Sequence, residues 1–177
     1  MKKRILAVLL CTFLVGFDQG TKALVRAKLV GHPIILIRNV LSLSYLENRG
    51  AMWGLFQGKY MLLAVCTVFV TALFVLLYLR IPVTKRFLPL RLTFLLLLGG
   101  AVGNFIDRIF LHYVTDFISF DLIDFPVFNV ADIYVTVSAF LLVLLIGFIY
   151  KDDELSFLSL KRQDKGGNES EAENETE

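Results

Sequence analysis

The eighteen residues from Ile133 to Tyr150 contain no charged side chain, and neither do those from Tyr60 to Leu79. A helix of that length matches the hydrocarbon core of a bilayer, about 30 Å thick. Two further runs join them. Leu92–Ile106 is apolar and glycine-rich near its end, and Leu88–Leu90 extends it. The N-terminus starts basic (Lys2, Lys3, Arg4) and turns apolar, as a secretory signal does. No A-x-A-like cleavage site follows it, and the polar cluster Asp18-Gln19-Gly20-Thr21-Lys22 comes next, so it reads as a retained first span. Composition agrees: 56% of residues are hydrophobic and 19% charged, where a soluble domain has about half and a quarter. The expectation is a mainly α membrane protein in one domain, residues 1–155, with four transmembrane helices near 4–21, 60–79, 88–107 and 132–150.

Four spans put both termini on one side. Arg80, Lys85, Arg86 and Arg91 fill the link between spans two and three, and Lys151, Lys161, Arg162 and Lys165 follow span four. With Lys2, Lys3 and Arg4 these dense basic clusters share a side, which the positive-inside rule assigns to the cytoplasm. Segments 22–59 and 107–132 then face outward.

The first outward segment, about 23–58, carries strand signals. Ile34–Ile37 is apolar and mostly β-branched, and Leu41-Ser42-Leu43-Ser44-Tyr45 alternates with period two. Asn48-Arg49-Gly50 has turn chemistry. Met52–Phe56 reads as an amphipathic interfacial helix, with Trp53 where the membrane interface favours it. A small β-sheet and this helix are expected on the outer face. The tail, 156–177, is acidic at its end and polar, and is expected to be disordered.

The unusual polar residues share one depth in this topology. Asp18 and Lys22 end span one, Asn48 and Gly50 lie in the outer segment, and Asn104, Asp107 and Arg108 end span three. Asp116 follows in the outer link, and Asn129 and Asp132 open span four. Asn104, Asp107 and Arg108 stand at i, i+3 and i+4, so they share a helix face. Asp107 beside Arg108 reads as a self-neutralising polar clamp, and Asp18 with Lys22 reads equally as a structural brace. Asp132 fits a first-turn acid favoured by the helix dipole as well as it fits a catalytic acid. Asp116 has no basic neighbour in sequence. Asp121 and Asp124 read as solvated loop acids.

Two aspartates meeting in a poorly hydrated site share one proton, because like charges in contact cannot both ionise. The ionised one can take a proton from water and the protonated one can donate to a carbonyl oxygen, which is the acid–base logic of aspartic proteolysis. That chemistry calls on no metal and no cofactor. Cys11 and Cys66 sit alone in apolar runs, and His32 and His112 have no patterned Ser or Cys partner. No basic patch with interleaved aromatics points to nucleic acid. Two other classes stay open on the residues alone. Intramembrane carboxylates also mark small transporters or proton-conducting proteins, and a polar cluster can merely hold helices together in an assembly protein.

The blocks Asp18–Lys22, Glu47–Ala51, Gly99–Arg108, Val114–Phe117 and Phe128–Asp132 stand in the order and spacing of bacterial lipoprotein signal peptidase, signal peptidase II. The chain resembles that family over roughly residues 1–150. The resemblance implies an aspartyl endopeptidase of the bacterial inner membrane, working near its outer face among membrane lipids. Its substrates are diacylglyceryl-modified prolipoproteins, cut just before the lipidated cysteine, and globomycin-type peptides inhibit it. By motif position Asp116 and Asp132 are the dyad. Asp18, Lys22, Asn48, Gly50, Asn104, Asp107, Arg108 and Asn129 bind substrate or support the site.

Overall fold

A computed structural model of the chain describes residues 2–50, 56–123, 125–151, 153–155 and 157. Four long helices, α1 (Lys2–Lys28), α2 (Tyr60–Arg80), α3 (Leu88–Phe110) and α4 (Val130–Leu144), carry apolar stretches long enough to cross a membrane. Three strands, β1 (Ile34–Ile37), β2 (Leu41–Asn48) and β3 (Val114–Ser119), form one antiparallel sheet in that order. A short 3-10 turn, Asp121–Ile123, follows β3, and α4 ends in a π turn, Leu145–Ile149.

The helices run further than the sequence suggested. α1 continues past residue 21 to Lys28, so the start of the expected outer β segment is helical, and α3 continues to Phe110. The sheet extends beyond the expected outer β segment and recruits β3 from the second outer link. Val114-Thr115-Asp116-Phe117-Ile118 is rich in β-branched and aromatic residues, and its backbone completes the exposed edge of β2. The interfacial helix expected at Met52–Phe56 lies outside the described residues, except for Phe56, an exposed turn residue. The tail also lies outside them, except for Phe157.

α3 is the central helix. Its spanning stretch is 56% buried, against 11%, 6% and 11% for α1, α2 and α4. Leu90, Phe94, Leu95 and Leu98 of α3 pack with Ala7, Tyr78 and Leu145 from the other three helices. Apolar packing alone does not favour helix association in lipid, so close backbone approach matters. Gly99, Gly100 and Gly103 provide it. A Cβ at Gly100 would stand 2.5 Å from the Ala131 carbonyl oxygen and 2.8 Å from Val135 Cγ2, and one at Gly103 would stand 2.5 Å from Asp18 Oδ2. A backbone carbonyl cannot swing aside as a side-chain tip does. Gly100→Ala is therefore expected to destabilise by about 1–3 kcal/mol through overpacking, read as a lower unfolding midpoint in detergent. Gly16→Ala, with nothing within 4 Å, is the matched control and should hold or slightly raise the midpoint, since alanine favours a helix over glycine.

The sheet lies over the ends of α1 and α4. Val25 and Leu29 pack with Phe117, Leu43, Tyr45, Ile118 and Val130. That contact fixes β2 and β3 above the opening of α4, where the polar residues gather.

Candidate active site

Asn129 caps α4. Its side-chain oxygen accepts the Asp132 N–H at 3.1 Å, while Asp132 Oδ2 accepts the Asn129 N–H at 3.1 Å, a reciprocal capping box. The helix-start reading of Asp132 is therefore part of its role. Its other oxygen, Oδ1, accepts from Asn104 Nδ2 at 2.7 Å.

Asp116 arrives from β3. It pairs across the ladder with Leu46, and Asn48 pairs with Val114, so Asn48 and Asp116 are diagonal neighbours on one face. Asn48 Nδ2 donates to Asp116 Oδ2 at 2.8 Å, and Asn129 Nδ2 donates to Asp116 Oδ1 at 2.6 Å. Asn129 thus touches both carboxylates, one through its side chain and one through its backbone.

Three asparagines point their NH₂ ends at the two aspartates, and donor–acceptor chemistry dictates each orientation. An ammonium or a backbone N–H can only donate, so it must face a carbonyl end. Lys22 Nζ donates to Asn104 Oδ1 at 2.8 Å, which turns Asn104 Nδ2 toward Asp132. Gly50 N–H donates to Asn48 Oδ1 at 3.0 Å, which turns Asn48 Nδ2 toward Asp116. The Asp132 N–H does the same for Asn129.

Behind this layer Asp18, Lys22 and Asp107 form a buried ionic cluster, each 0–1% exposed. Lys22 Nζ lies 2.9 Å from Asp18 Oδ2 and 3.4 Å from Asp107 Oδ2. Asp18 Oδ1 accepts the Ala131 N–H at 2.9 Å, tying α1 to the first turn of α4. Asp107 Oδ2 accepts the Thr115 N–H at 2.9 Å, tying α3 to β3. The direct ion-pair partners of Asp107 are Lys22 and, at 4.0 Å, Arg26, rather than the expected Arg108, which acts on it only at longer range. Consecutive helical residues project in different directions. Asp107 turns to α1, while Arg108 faces a cavity with Asn104.

Two contributors, Gln19 and Arg26, are not among the residues expected from the sequence. Gln19 Nε2 bridges Asp18, the Gly103 carbonyl and Asp107 at 3.0–3.1 Å. Arg26 donates to the fully buried Thr115 hydroxyl at 2.9 Å. Gln19 and Arg26 lie one turn either side of Lys22 on α1, and that helical spacing was the available signal. The loop acid Asp121 is exposed and accepts from Ser119 Oγ at 2.6 Å, and Asp124 lies outside the described residues. The ring of His112 lies 4.5 Å from that of Tyr60, tilted by 45°.

A cavity of about 690 Å³ opens here. Asp116, Asp132, Asn48, Gly50, Asn104 and Arg108 line its polar end, and Phe120, Phe125, Phe128, Ile133 and Val137 line an apolar wall. Burial and the neighbouring Asp132 charge raise the Asp116 pKa to about 7, against the opposing pull of Asn48, Asn129 and Lys22. No cluster of three or more metal-binding side chains occurs among the described residues.

Comparison with known proteins agrees with this architecture. The family model for signal peptidase (SPase) II matches residues 10–148. The lipoprotein signal peptidase of Geobacillus thermodenitrificans is 41% identical over 143 residues, 79% of this chain and 88% of the relative. That of Streptococcus thermophilus is 41% identical over 136 residues, 75% of this chain and 86% of the relative. A solved structure of a bacterial membrane enzyme superposes with a TM-score of 0.70 at 29% identity, covering 91% of this chain and 94% of the other. With the matching family model spanning all four helices and the sheet, this multi-pass membrane protein belongs to the signal peptidase II family.

Proposed function

We propose that the chain is an aspartyl endopeptidase that removes signal peptides from diacylglyceryl-modified prolipoproteins, cutting just before the lipidated cysteine. The observation that carries this reading is the double contact of Asn129 with Asp116 and Asp132 at the polar end of one cavity. The raised pKa of Asp116 supports placing the shared proton there. Asp132 takes a proton from water as the water oxygen attacks the peptide carbonyl, and Asp116 protonates the carbonyl oxygen. The gem-diol then returns a proton to Asp116, Asp132 protonates the leaving nitrogen, and the C–N bond breaks. The products are the signal peptide's carboxyl end and the amine of the lipidated cysteine, with the dyad restored.

The apolar wall suits the acyl chains of such a substrate, and Arg108 and the asparagines suit its peptide groups. The basic clusters favour cytoplasmic termini in the inner membrane, with the site near the outer face and globomycin-type peptides as ligands.

The reconstituted chain should cut a diacylglyceryl-modified precursor peptide just before the cysteine, by mass spectrometry, and leave the unlipidated peptide intact. Equal cleavage of both would sink the lipid requirement, and cleavage of neither would sink the peptidase reading. The rate should also depend on pH. The acid form of Asp116 persists up to about pH 7, so kcat/KM should fall as pH rises through that value, approaching tenfold per pH unit. A profile flat from pH 6 to 9 would remove Asp116 as the proton donor.

A further inference from the structure

β1 breaks the rule that its neighbour obeys. In β2, Leu41, Leu43 and Tyr45 alternate with Ser42 and Ser44, and Leu43 and Tyr45 face the packed underside of the sheet. In β1 all four residues are apolar and all are exposed: Ile34 48%, Ile35 67%, Leu36 53% and Ile37 54%. Ile34 pairs with Leu43 and Ile35 with Ser42, so the apolar side chains occupy both faces of the strand. Burial falls stepwise across the sheet, from β3 through β2 to β1, which places β1 at the edge furthest from the helix bundle.

The apolar surface continues on both sides of the strand. Leu24 and Val30, at the end of α1 and just beyond it, are 57% and 54% exposed, leading from the lipid-facing side of that helix to β1. At the other end, Val40 accepts a backbone bond from Asp121 at 3.0 Å. That contact brings Leu122 and Ile123, 68% and 67% exposed, beside the β1–β2 turn. Exposed Lys28 and Arg38 bracket the strand, as cations bracket segments that meet lipid phosphates.

We propose that β1 is immersed edge-on in the outer part of the bilayer, a float that ties the sheet to the leaflet surrounding the helices. The occupant of the apolar surface is lipid, because that surface is continuous with a membrane-spanning helix and ends in cations. The depth is bounded. β1 is an edge strand, and an open strand edge with unpaired N–H and C=O groups is not tolerated in hydrocarbon. The strand therefore rests at the headgroup and upper-chain level, where water still reaches its outer edge.

The test uses the full chain in lipid nanodiscs, with Cys11 and Cys66 replaced by alanine and Ile35→Cys carrying an environment-sensitive fluorophore. Ser44→Cys, on the polar face of β2, is the control. Both labelled proteins should keep the parent's unfolding midpoint. The Ile35 label should emit at shorter wavelength than the Ser44 label. It should be quenched by lipids with a nitroxide near the headgroup, less by lipids with one near the chain end, and little by aqueous iodide. Iodide quenching equal to that at position 44 overturns the proposal. So does a blue-shifted label that no nitroxide lipid quenches, since that means burial against protein, such as edge-to-edge pairing of two copies.

Discussion

Asp116→Asn and Asp132→Asn should each lower kcat/KM on the lipidated precursor by about 10³-fold or more, while the protein remains folded. The magnitude follows from general acid–base catalysis, where one positioned group contributes about 10²–10⁴-fold. Neither variant can pass a proton between water and the peptide. The double variant should be little worse than either single one, because residues that act as a unit are not additive. The replacements are isosteric but not innocent. Asp116 accepts NH₂ groups at both oxygens, from Asn48 and Asn129, so an amide there sets donor against donor. The cost of one lost partner is about 1–3 kcal/mol, visible as a modest drop in the unfolding midpoint. Turnover within tenfold of the parent by either variant would rule out the dyad.

Lys22→Met should be the most destabilising single change at this site, by about 3–5 kcal/mol. Removing one partner of a buried ion pair leaves an uncompensated charge, and here it takes from Asp18 the cation at 2.9 Å and leaves Asp107 only Arg26 at 4.0 Å, both carboxylates being almost fully buried. Activity should fall as well, since Asn104 loses the donor that fixes its orientation toward Asp132. Adding Asp18→Asn to Lys22→Met should recover part of the stability, because deleting both charges costs less than orphaning one. Chemical unfolding of Lys22→Met, Asp18→Asn and the double variant in detergent closes the cycle. A loss below about 1 kcal/mol for Lys22→Met would show that the cluster is not held together by its central ammonium.

The helices were legible because long stretches without charge admit few alternatives in a chain this apolar. The blocks that carry Asp116 and Asp132 were legible as motifs, and folding brings the two residues to one cavity. The partners of Asp107 were not. Arg108 is adjacent in sequence, yet adjacency on a helix separates side chains, whereas Lys22 and Arg26 lie on another helix and meet Asp107 only after folding. β3 was overlooked although its residue types favour a strand, because its pairing partner, β2, lies across two intervening helices. The orientation of the asparagines was equally out of reach, since it depends on which donor stands behind each carbonyl.

That orientation makes the site vulnerable to mild chemical ageing. Hydrolysis of one side-chain amide, at Asn48, Asn104 or Asn129, would leave the shape almost unchanged and set oxygen against an aspartate oxygen where a proton donor had been. An old preparation could then keep its helices and its melting behaviour while losing turnover, and peptide mapping for deamidation at those three positions would account for the lost activity.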